Sequence, residues 1–291
     1  MSRNGNGRVW LVTGASSGFG RAIAKEVLAR GDRLVATGRD PDALQPLVGG
    51  DGGRAMAMRL DITDAAAVRE AVDEAVSRFG RIDVVVNNAG YVHVGAVEEL
   101  GDEEWRRLID TDLFGAINVT RAVLPHMRGQ RSGHLVQMSS LNGIEGLPGG
   151  GYYVASKFAL EGLSESLADE VAPLGIKVTI VEPGPHRTGL LSGPSAKSSE
   201  PISDYADSVG MVREQLEQLD GHQPGDPERA ARAIVEVVEA PDPPRRLPLG
   251  TMALDHIRAK LRSQLEELEA WAELSASADF PPQQQAGARS G

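Results

Sequence analysis

At 291 residues, with 41% hydrophobic and 24% charged residues, the chain has the make-up of a soluble globular protein. Its length supports one substantial core, and the formal net charge of −11 argues against nucleic acid or an anionic membrane as partner, so an anionic ligand needs a local positive site. Zero cysteines exclude disulfides and thiolate chemistry, and no apolar leader or run of about 18 apolar residues is present, so the expectation is a cytoplasmic protein that spans no membrane.

Short apolar runs alternate with helical periodicity along most of the chain. Residues 8–13 (RVWLVT) read as a fully buried strand and 18–30 as a helix ending at Gly31. A second strand at 33–37, a short helix at 41–48, a Gly-rich turn at 49–53 and a third strand at 54–60 follow. Within 64–79, Ala67, Val68, Ala71, Val72, Ala75 and Val76 form one helix stripe. Then come strand 84–87, one long helix over 102–127, strand 134–139, helix 152–171 and strand 177–182. Alternation of this kind predicts an α/β fold, a parallel sheet with helices on both faces, built as a single domain over 1–250.

Residues 185–225 interrupt the rhythm with frequent Pro, Gly and Ser and one weakly helical stretch at 204–219. An irregular excursion just after a strand end reads as a substrate loop. Helix 226–239 and an edge strand at 245–249 resume the pattern. Residues 251–275 carry a charged amphipathic helix whose stripe, Leu254, Ile257, Leu261, Leu265, Leu268 and Trp271, suits docking on the domain or a subunit contact. The remainder, 276–291, reads as a disordered tail.

Between the first strand and the first helix lies TGASSGFG, residues 13–20. Gly14, Gly18 and Gly20 let the backbone turn tightly and approach a pyrophosphate resting on the helix N-terminus, with Ser16, Ser17 and Phe19 in the same turn. The second strand ends in Gly38 and Arg39 rather than the carboxylate that binds a ribose 2′-hydroxyl. A guanidinium there makes a bidentate contact to a 2′-phosphate, which favours NADP(H) over NAD(H). Asp40, one step further, is expected to point toward the helix at 41–48.

Tyr153 and Lys157 stand four positions apart in YVASK, and Ser139 and Ser140 precede them. A phenol alone is a poor proton donor at neutral pH, whereas an ammonium on the same helix face favours the phenolate. Ser140, thirteen positions before Tyr153, supplies a hydroxyl to hold a substrate oxygen; Ser139 is the alternative. These groups move a proton to or from an alcohol oxygen.

The motifs together resemble the short-chain dehydrogenase/reductase family, from about residue 8 to 190: TGASSGFG, Asp61, NNAG at 87–90, Ser140, YVASK at 153–157 and EPGPHRT at 182–188. The resemblance implies a Rossmann-type, doubly wound seven-stranded sheet binding NADP(H), with Asp61 and Ile62 flanking the adenine. It implies that Asn87, Ala89 and Gly90 support the adenosine-side ribose and central strand, and that Pro183, Gly184 and Thr188 line the nicotinamide end. The NNAG asparagines also suit a purely structural role, stitching strands together. Tyr153 would then be the acid/base of a carbonyl/alcohol interconversion, Ser140 its carbonyl anchor and Lys157 the holder of the nicotinamide ribose. One position departs from the family: where it has Asn-x-x-Gly, this chain has DLFG, so Asp112 stands beside the lysine, and a shifted pH optimum is expected.

The implied function is an NADP(H)-dependent carbonyl reductase or alcohol dehydrogenase acting on a small molecule, assembled as a homodimer or homotetramer through helices 102–127 and 152–171. A redox-neutral epimerase or cyclase and a non-catalytic nucleotide sensor are the rivals. Leu141, Asn142, Leu147 and Tyr152 are candidates to border the substrate. His93 reads as a second catalytic acid or, in preference, as a pocket-lining or loop-bonding residue; His186 and Arg187 read as substrate contacts or, in preference, as loop anchors or cofactor neighbours; no metal-ligand spacing occurs.

Overall fold

Strand β1 (Val9–Val12), VWLV, is buried at every position, as befits the middle of a parallel sheet covered on both faces. The computed structural model describes residues 7–49, 52–191 and 196–280. After β1 come α1 (Gly18–Ala29), β2 (Arg33–Gly38), the single turn α2 (Gln45–Val48), β3 (Ala55–Arg59), α3 (Ala65–Phe79) and β4 (Val84–Asn87). The second half adds β5 (Val92–Val94), α4 (Asp102–Ile109), α5 (Ala116–Gln130), β6 (Gly133–Met138), α6 (Gly151–Val171) and β7 (Ile176–Pro183). It closes with β8 (Ala196–Ser198), α7 (Met211–Leu219), α8 (Pro227–Glu239), β9 (Arg246–Leu249), α9 (Thr251–Ala270) and α10 (Ala272–Ala276).

Seven strands form one parallel sheet in the order β3-β2-β1-β4-β6-β7-β9. Side chains alternate across it. Trp10 and Val12 enter the core shared with α1 and α8, through Ile23, Val27, Ile234 and Val235. Val9 and Leu11 face the opposite core, with Val68 and Val72 of α3, Val123 of α5 and Leu167 of α6. The chain builds outward from β1 to β3, then returns to place β4 on the other side of β1. That reversal opens a crevice at the carboxyl ends of β1 and β4, the place where sheets of this kind bind ligands. The doubly wound fold and the edge strand at the end of the sheet match the sequence reading.

One expectation needs correction, and two features add to the sequence reading. The single helix over 102–127 is instead α4 and α5 joined by a π-helical turn, Asp110–Gly115. Such turns insert an extra residue and re-aim side chains, often at functional sites; here the turn contains Asp112. A Cβ at Gly115 would lie 2.6 Å from Ile62 Cγ1, so the turn presses close to the loop after β3. Second, β5 and β8 pair as a small parallel sheet apart from the main one, which three-residue runs do not announce. Third, the C-terminal helix docks only by its foot, where Ala253 and Ile257 pack with Leu141 and Ile144. Of the tail expected to be disordered, 281–291 lie outside the described residues, as do 50–51 of the Gly-rich turn and 192–195 of the substrate loop.

Leu135 in β6 has no solvent exposure, and Leu135→Ala is expected to lower stability by about 2–5 kcal/mol. The check is a lower urea midpoint at unchanged slope; an unchanged midpoint would contradict this account of the core.

Candidate functional site

One cleft of about 700 Å³ runs along the carboxyl ends of the central strands. At one end is the turn between β1 and α1. Gly14 and Gly18 have φ of +64° and +52°, a region that suits glycine. A Cβ on Gly20 would reach within 2.5 Å of Asn88 Nδ2 and closer still to the Gly14 carbonyl oxygen, so only glycine fits. Asn88 latches the turn to β4: its Nδ2 donates to the carbonyls of Thr13 (2.8 Å) and Gly14 (3.2 Å). In return, Thr13 Oγ1 accepts from the backbone N–H groups of Asn88 and Ala89.

The N-terminus of α1 is electrostatically open. Ser17 caps it in position but makes no side-chain cap bond, and the first turn has no acidic residue. By contrast, Asp64 and Asp226 cap α3 and α8 with their own carboxylates. Orphan N–H groups and the positive helix end thus face the cleft, a cradle for an anion such as a pyrophosphate. The donor set and the Cβ-free approach fit a dinucleotide.

Arg39 lies exposed on the cleft wall after buried Gly38. Asp40 is turned away, its Oδ1 accepting the Asp42 N–H at 3.0 Å, in line with the sequence reading. Opposite, Asp61 accepts from the Thr63 N–H and hydroxyl at 3.0 and 2.8 Å. These bonds, the backbone one foremost, hold its carboxyl below the usual range despite partial burial, and Arg39 adds to the effect. Asn118 Nδ2 donates to the Ile62 carbonyl at 3.0 Å and ties this wall to α5.

At the other end, α6 carries Tyr153 and Lys157 toward the end of β6. The buried Lys157 Nζ donates to the Met138 carbonyl at 3.1 Å and stands 5.5 Å from the Tyr153 ring centre. It also faces Asp112 Oδ2 at 3.7 Å, an ion pair longer than a hydrogen bond. Asp112 Oδ1 accepts the Tyr91 N–H at 3.0 Å, and Gly90 makes room for the carboxylate, since a Cβ there would lie 3.2 Å from Oδ1. Burial pushes the Asp112 carboxyl up to about 6, against the lowering pull of the Lys157 ammonium and the Tyr91 N–H. Ser140 begins a short 3₁₀ turn, and its Oγ accepts the Asn142 N–H at 3.1 Å, leaving its O–H to donate elsewhere. Ser139 has its hydroxyl oxygen buried, on the side where a Cβ at Gly143 would meet both it and Glu161.

The cleft therefore gathers Gly14, Ser16, Ser17, Gly18, Phe19, Arg39, Asp61 and Ile62 from the first half of the chain. Ala89, Gly90, Asp112, Ser140, Tyr153, Lys157, Pro183, Gly184 and Thr188 join them from beyond β4. Gly20 and Asn87 sit behind the wall. Asn87 Nδ2 bonds Thr120 Oγ1 and Gln137 Oε1, both at 2.9 Å, stitching β4 to α5 and β6. Of the candidate substrate neighbours, Leu141, Asn142 and Leu147 line the cleft. Tyr152 does not: it stacks on Trp105 and donates to the Val97 carbonyl at 3.1 Å. His93 is buried outside the cleft, its Nε2 2.9 Å from Ser199 Oγ. His186 lines it but is wedged beside Phe19 and Gly225, and Arg187 Nε donates to the Gln223 carbonyl, so both anchor the loop.

The family model for short chain dehydrogenase matches residues 8–198. This chain belongs to the short-chain dehydrogenase family. Oxidoreductase BOA17 of Botryotinia fuckeliana is 39% identical over 92% of this chain and 98% of its own length. The 3-ketodihydrosphingosine reductase of Bacteroides thetaiotaomicron is 36% identical over 89% and 94%. Among solved structures, a short-chain dehydrogenase from Streptomyces avermitilis superimposes with a TM-score of 0.89 at 47% identity, covering 94% of this chain and all of that one. A short chain dehydrogenase/reductase from Burkholderia phymatum in complex with NAD gives 0.78 at 26% identity, over 91% and 95% of the two chains. A metagenomic short-chain oxidoreductase in complex with NADP gives 0.66 at 27%, over 84% and 97%.

Sequence reasoning missed several neighbours of this family's site. Asn88, second of the NNAG asparagines, was in plain view, but which asparagine faces the turn is a matter of strand register. Tyr91, Arg107 and Lys197 reach the cleft from separate segments, with Lys197 Nζ 4.7 Å from the Tyr91 ring centre. Behind Ser139 lies a buried acidic pair on one arginine: Arg246 Nε is 3.3 Å from both Glu161 Oε2 and Glu182 Oε1. Burial first, then repulsion from Glu161, pushes Glu182 up to about 7 despite Arg246.

Because Asp112 is raised in the folded state, its contribution to stability is full below the ordinary carboxylate value of 3.8 and is lost as pH rises through about 6. Asp112→Asn is expected to gain stability over the parent as pH climbs through that window, and to lose any activity transition near pH 6. Coincident pH profiles of melting and of rate for the two proteins would remove the special role of the carboxylate.

Proposed function

We propose that the chain is an NADP(H)-dependent oxidoreductase that interconverts a ketone or aldehyde and its alcohol. The carrying observation is that one cleft joins an open helix N-terminus with a glycine cradle to a Ser140, Tyr153 and Lys157 set. In this reading the turn of Gly14, Ser16, Ser17, Gly18 and Phe19, with Gly20 beneath it, holds the pyrophosphate. Asp61, Ile62 and Ala89 flank the adenosine; Asn87 and Gly90 support that wall from behind and beside it. Pro183, Gly184, Thr188 and Lys157 hold the nicotinamide half. Arg39 takes the 2′-phosphate, its guanidinium being placed after a strand end that lacks a carboxylate.

When bound, the dinucleotide supplies or accepts the hydride. Ser140, with its oxygen already accepting from Asn142, donates its O–H to the substrate carbonyl oxygen and stabilises the charge that develops there. Tyr153 gives its phenolic proton to that oxygen during reduction and takes it back during oxidation. Lys157, fixed by Met138 and Asp112, sets a positive charge beside the phenolate left behind. Asp112 acts on the proton supply through Lys157. Val92, Val94, Leu147, Leu190, Leu216 and Leu219 also line the cleft, which suits a carbonyl compound with a bulky apolar group. Resemblance to a reductase of a keto compound favours the reductive direction.

Consumption of NADPH with a panel of apolar ketones and aldehydes tests the reading, and Tyr153→Phe is expected to lower kcat by about 10²–10⁴ with dinucleotide binding retained. Binding without turnover across the panel would favour a nucleotide sensor. Arg39→Glu is expected to raise the KM for NADPH by roughly 10–100-fold, the worth of a charge-assisted contact. An unchanged NADPH KM with no gain for NADH would contradict the cofactor assignment.

A further inference from the structure

Six charged side chains line the cleft: Arg39, Arg107, Lys157 and Lys197 against Asp61 and Asp112. Two of the cations are matched. Lys157 faces Asp112 at 3.7 Å, and Arg39 acts on Asp61. Among the described residues, Arg107 and Lys197 make no side-chain hydrogen bond and no ion pair. Glu104, three positions before Arg107, turns back to the Gly101 N–H at 3.0 Å. The chain as a whole carries −11, yet this cleft holds two surplus cations, which suits it to an anion.

Lys197 is not a loose surface lysine. Its strand, β8, pairs with β5 in the register that sets Lys197 beside His93. Ser199, two residues on, has its hydroxyl 2.9 Å from His93 Nε2, and its carbonyl accepts from Arg213 at 3.2 Å. Glu99 locks the same corner, taking the N–H groups of Ala96 and Ile202 and the Arg213 guanidinium at 2.6–2.7 Å. The backbone of Lys197 is thereby fixed, while its exposed side chain rests the ammonium over the Tyr91 ring, 4.7 Å from the centre. A cation–π contact at an exposed site is weak, so the ammonium can turn to an arriving anion. Arg107 acts electrostatically on the phenol of the same tyrosine. The Tyr91 N–H bonds the Asp112 carboxylate that faces Lys157, so a short path of contacts joins Lys197 to the Tyr153 end of the cleft.

Among the described residues, Lys197 is the one Lys, Arg, Asp or Glu that segment 185–225 brings to the cleft, and it comes with Leu190, Leu191, Leu216 and Leu219. A ligand matched to that segment is apolar along its body and anionic at one end. We propose that the carbonyl substrate carries an anionic group, a carboxylate or a phosphate ester, and that Lys197, supported by Arg107, selects the substrate by it. The proposal rests on the carbonyl–alcohol reading of the site. Arg39 and the open end of α1 are left to the phosphates of the dinucleotide.

The test compares methyl-ketone carboxylic acids of increasing chain length, each with its methyl ester, as substrates with NADPH. At the best chain length, kcat/KM is expected to favour the acid by roughly 5–50-fold, between the worth of an exposed ion pair and of a charge-assisted hydrogen bond. The preference is expected in KM, and to shrink as salt is raised. Lys197→Met is expected to bring acid and ester together and Lys197→Glu to reverse the order, with the NADPH Kd, read by nicotinamide fluorescence, unmoved in both. Acid-to-ester ratios are taken within each variant, so a partial loss of folding cancels. Equal use of acid and ester by the parent, or a preference indifferent to Lys197→Glu, overturns the proposal. So does weakened NADPH binding in Lys197→Met, which would assign the lysine to the phosphates of the cofactor. Ester turnover without any preference for the acid sinks the anionic group alone. No oxidation of NADPH by any acid, ester, ketone or aldehyde sinks the carbonyl reading, and this proposal with it.

Discussion

An ammonium group held out of water beside a phenol is the constraint around which the cleft is arranged. Burying a cation is costly unless it is paired, and Lys157 donates to the Met138 carbonyl and faces the Asp112 carboxylate at 3.7 Å. Each partner has its own requirement. Met138 is the last residue of β6, so the ammonium is referenced to the sheet. Asp112 sits in a π-helical turn, is itself buried, and relies on the Tyr91 N–H and on the missing Cβ of Gly90. Changing any one of these groups moves the charge that stands behind Tyr153.

The same parallel sheet makes the rest of the site follow. Because its strands share a direction, their carboxyl ends share an edge, and the loops after β1, β2, β3, β4, β6 and β7 all open onto one cleft. Helices α3 and α8 close their positive ends with an aspartate, whereas α1 leaves its end open toward that edge. The arrangement places the open N-terminus of α1 and the Tyr153–Lys157 pair in one cleft. This is the division of labour that a hydride transfer coupled to a proton transfer needs.

Much of this was legible in the sequence because it rests on local rules. Uniformly apolar runs mark buried parallel strands; Gly14, Gly18 and Gly20 mark a turn with no room for side chains; the four-residue step from Tyr153 to Lys157 follows from helix geometry. What the sequence hid depends on long-range placement. The π-helical turn has the periodicity of an ordinary helix to within one residue, so DLFG reads as unbroken. Asn87 and Asn88 differ only in which way their strand turns them, one into the core and one to the Gly turn. Tyr152 is adjacent to Tyr153 yet turns to Trp105, because neighbouring positions on a helix point about 100° apart. The stripe on α9 was visible, but not that the domain leaves most of it uncovered.

The central claim is that Tyr153 and Lys157 supply the proton to a substrate that receives its hydride from NADPH. The most direct measurement uses NADPH deuterated at the transferring position of the nicotinamide and follows the product by mass spectrometry. The account predicts an alcohol carrying one deuterium at the former carbonyl carbon, with the label retained and one NADPH consumed per alcohol formed. Product formed without label, or without net consumption of NADPH, would contradict it.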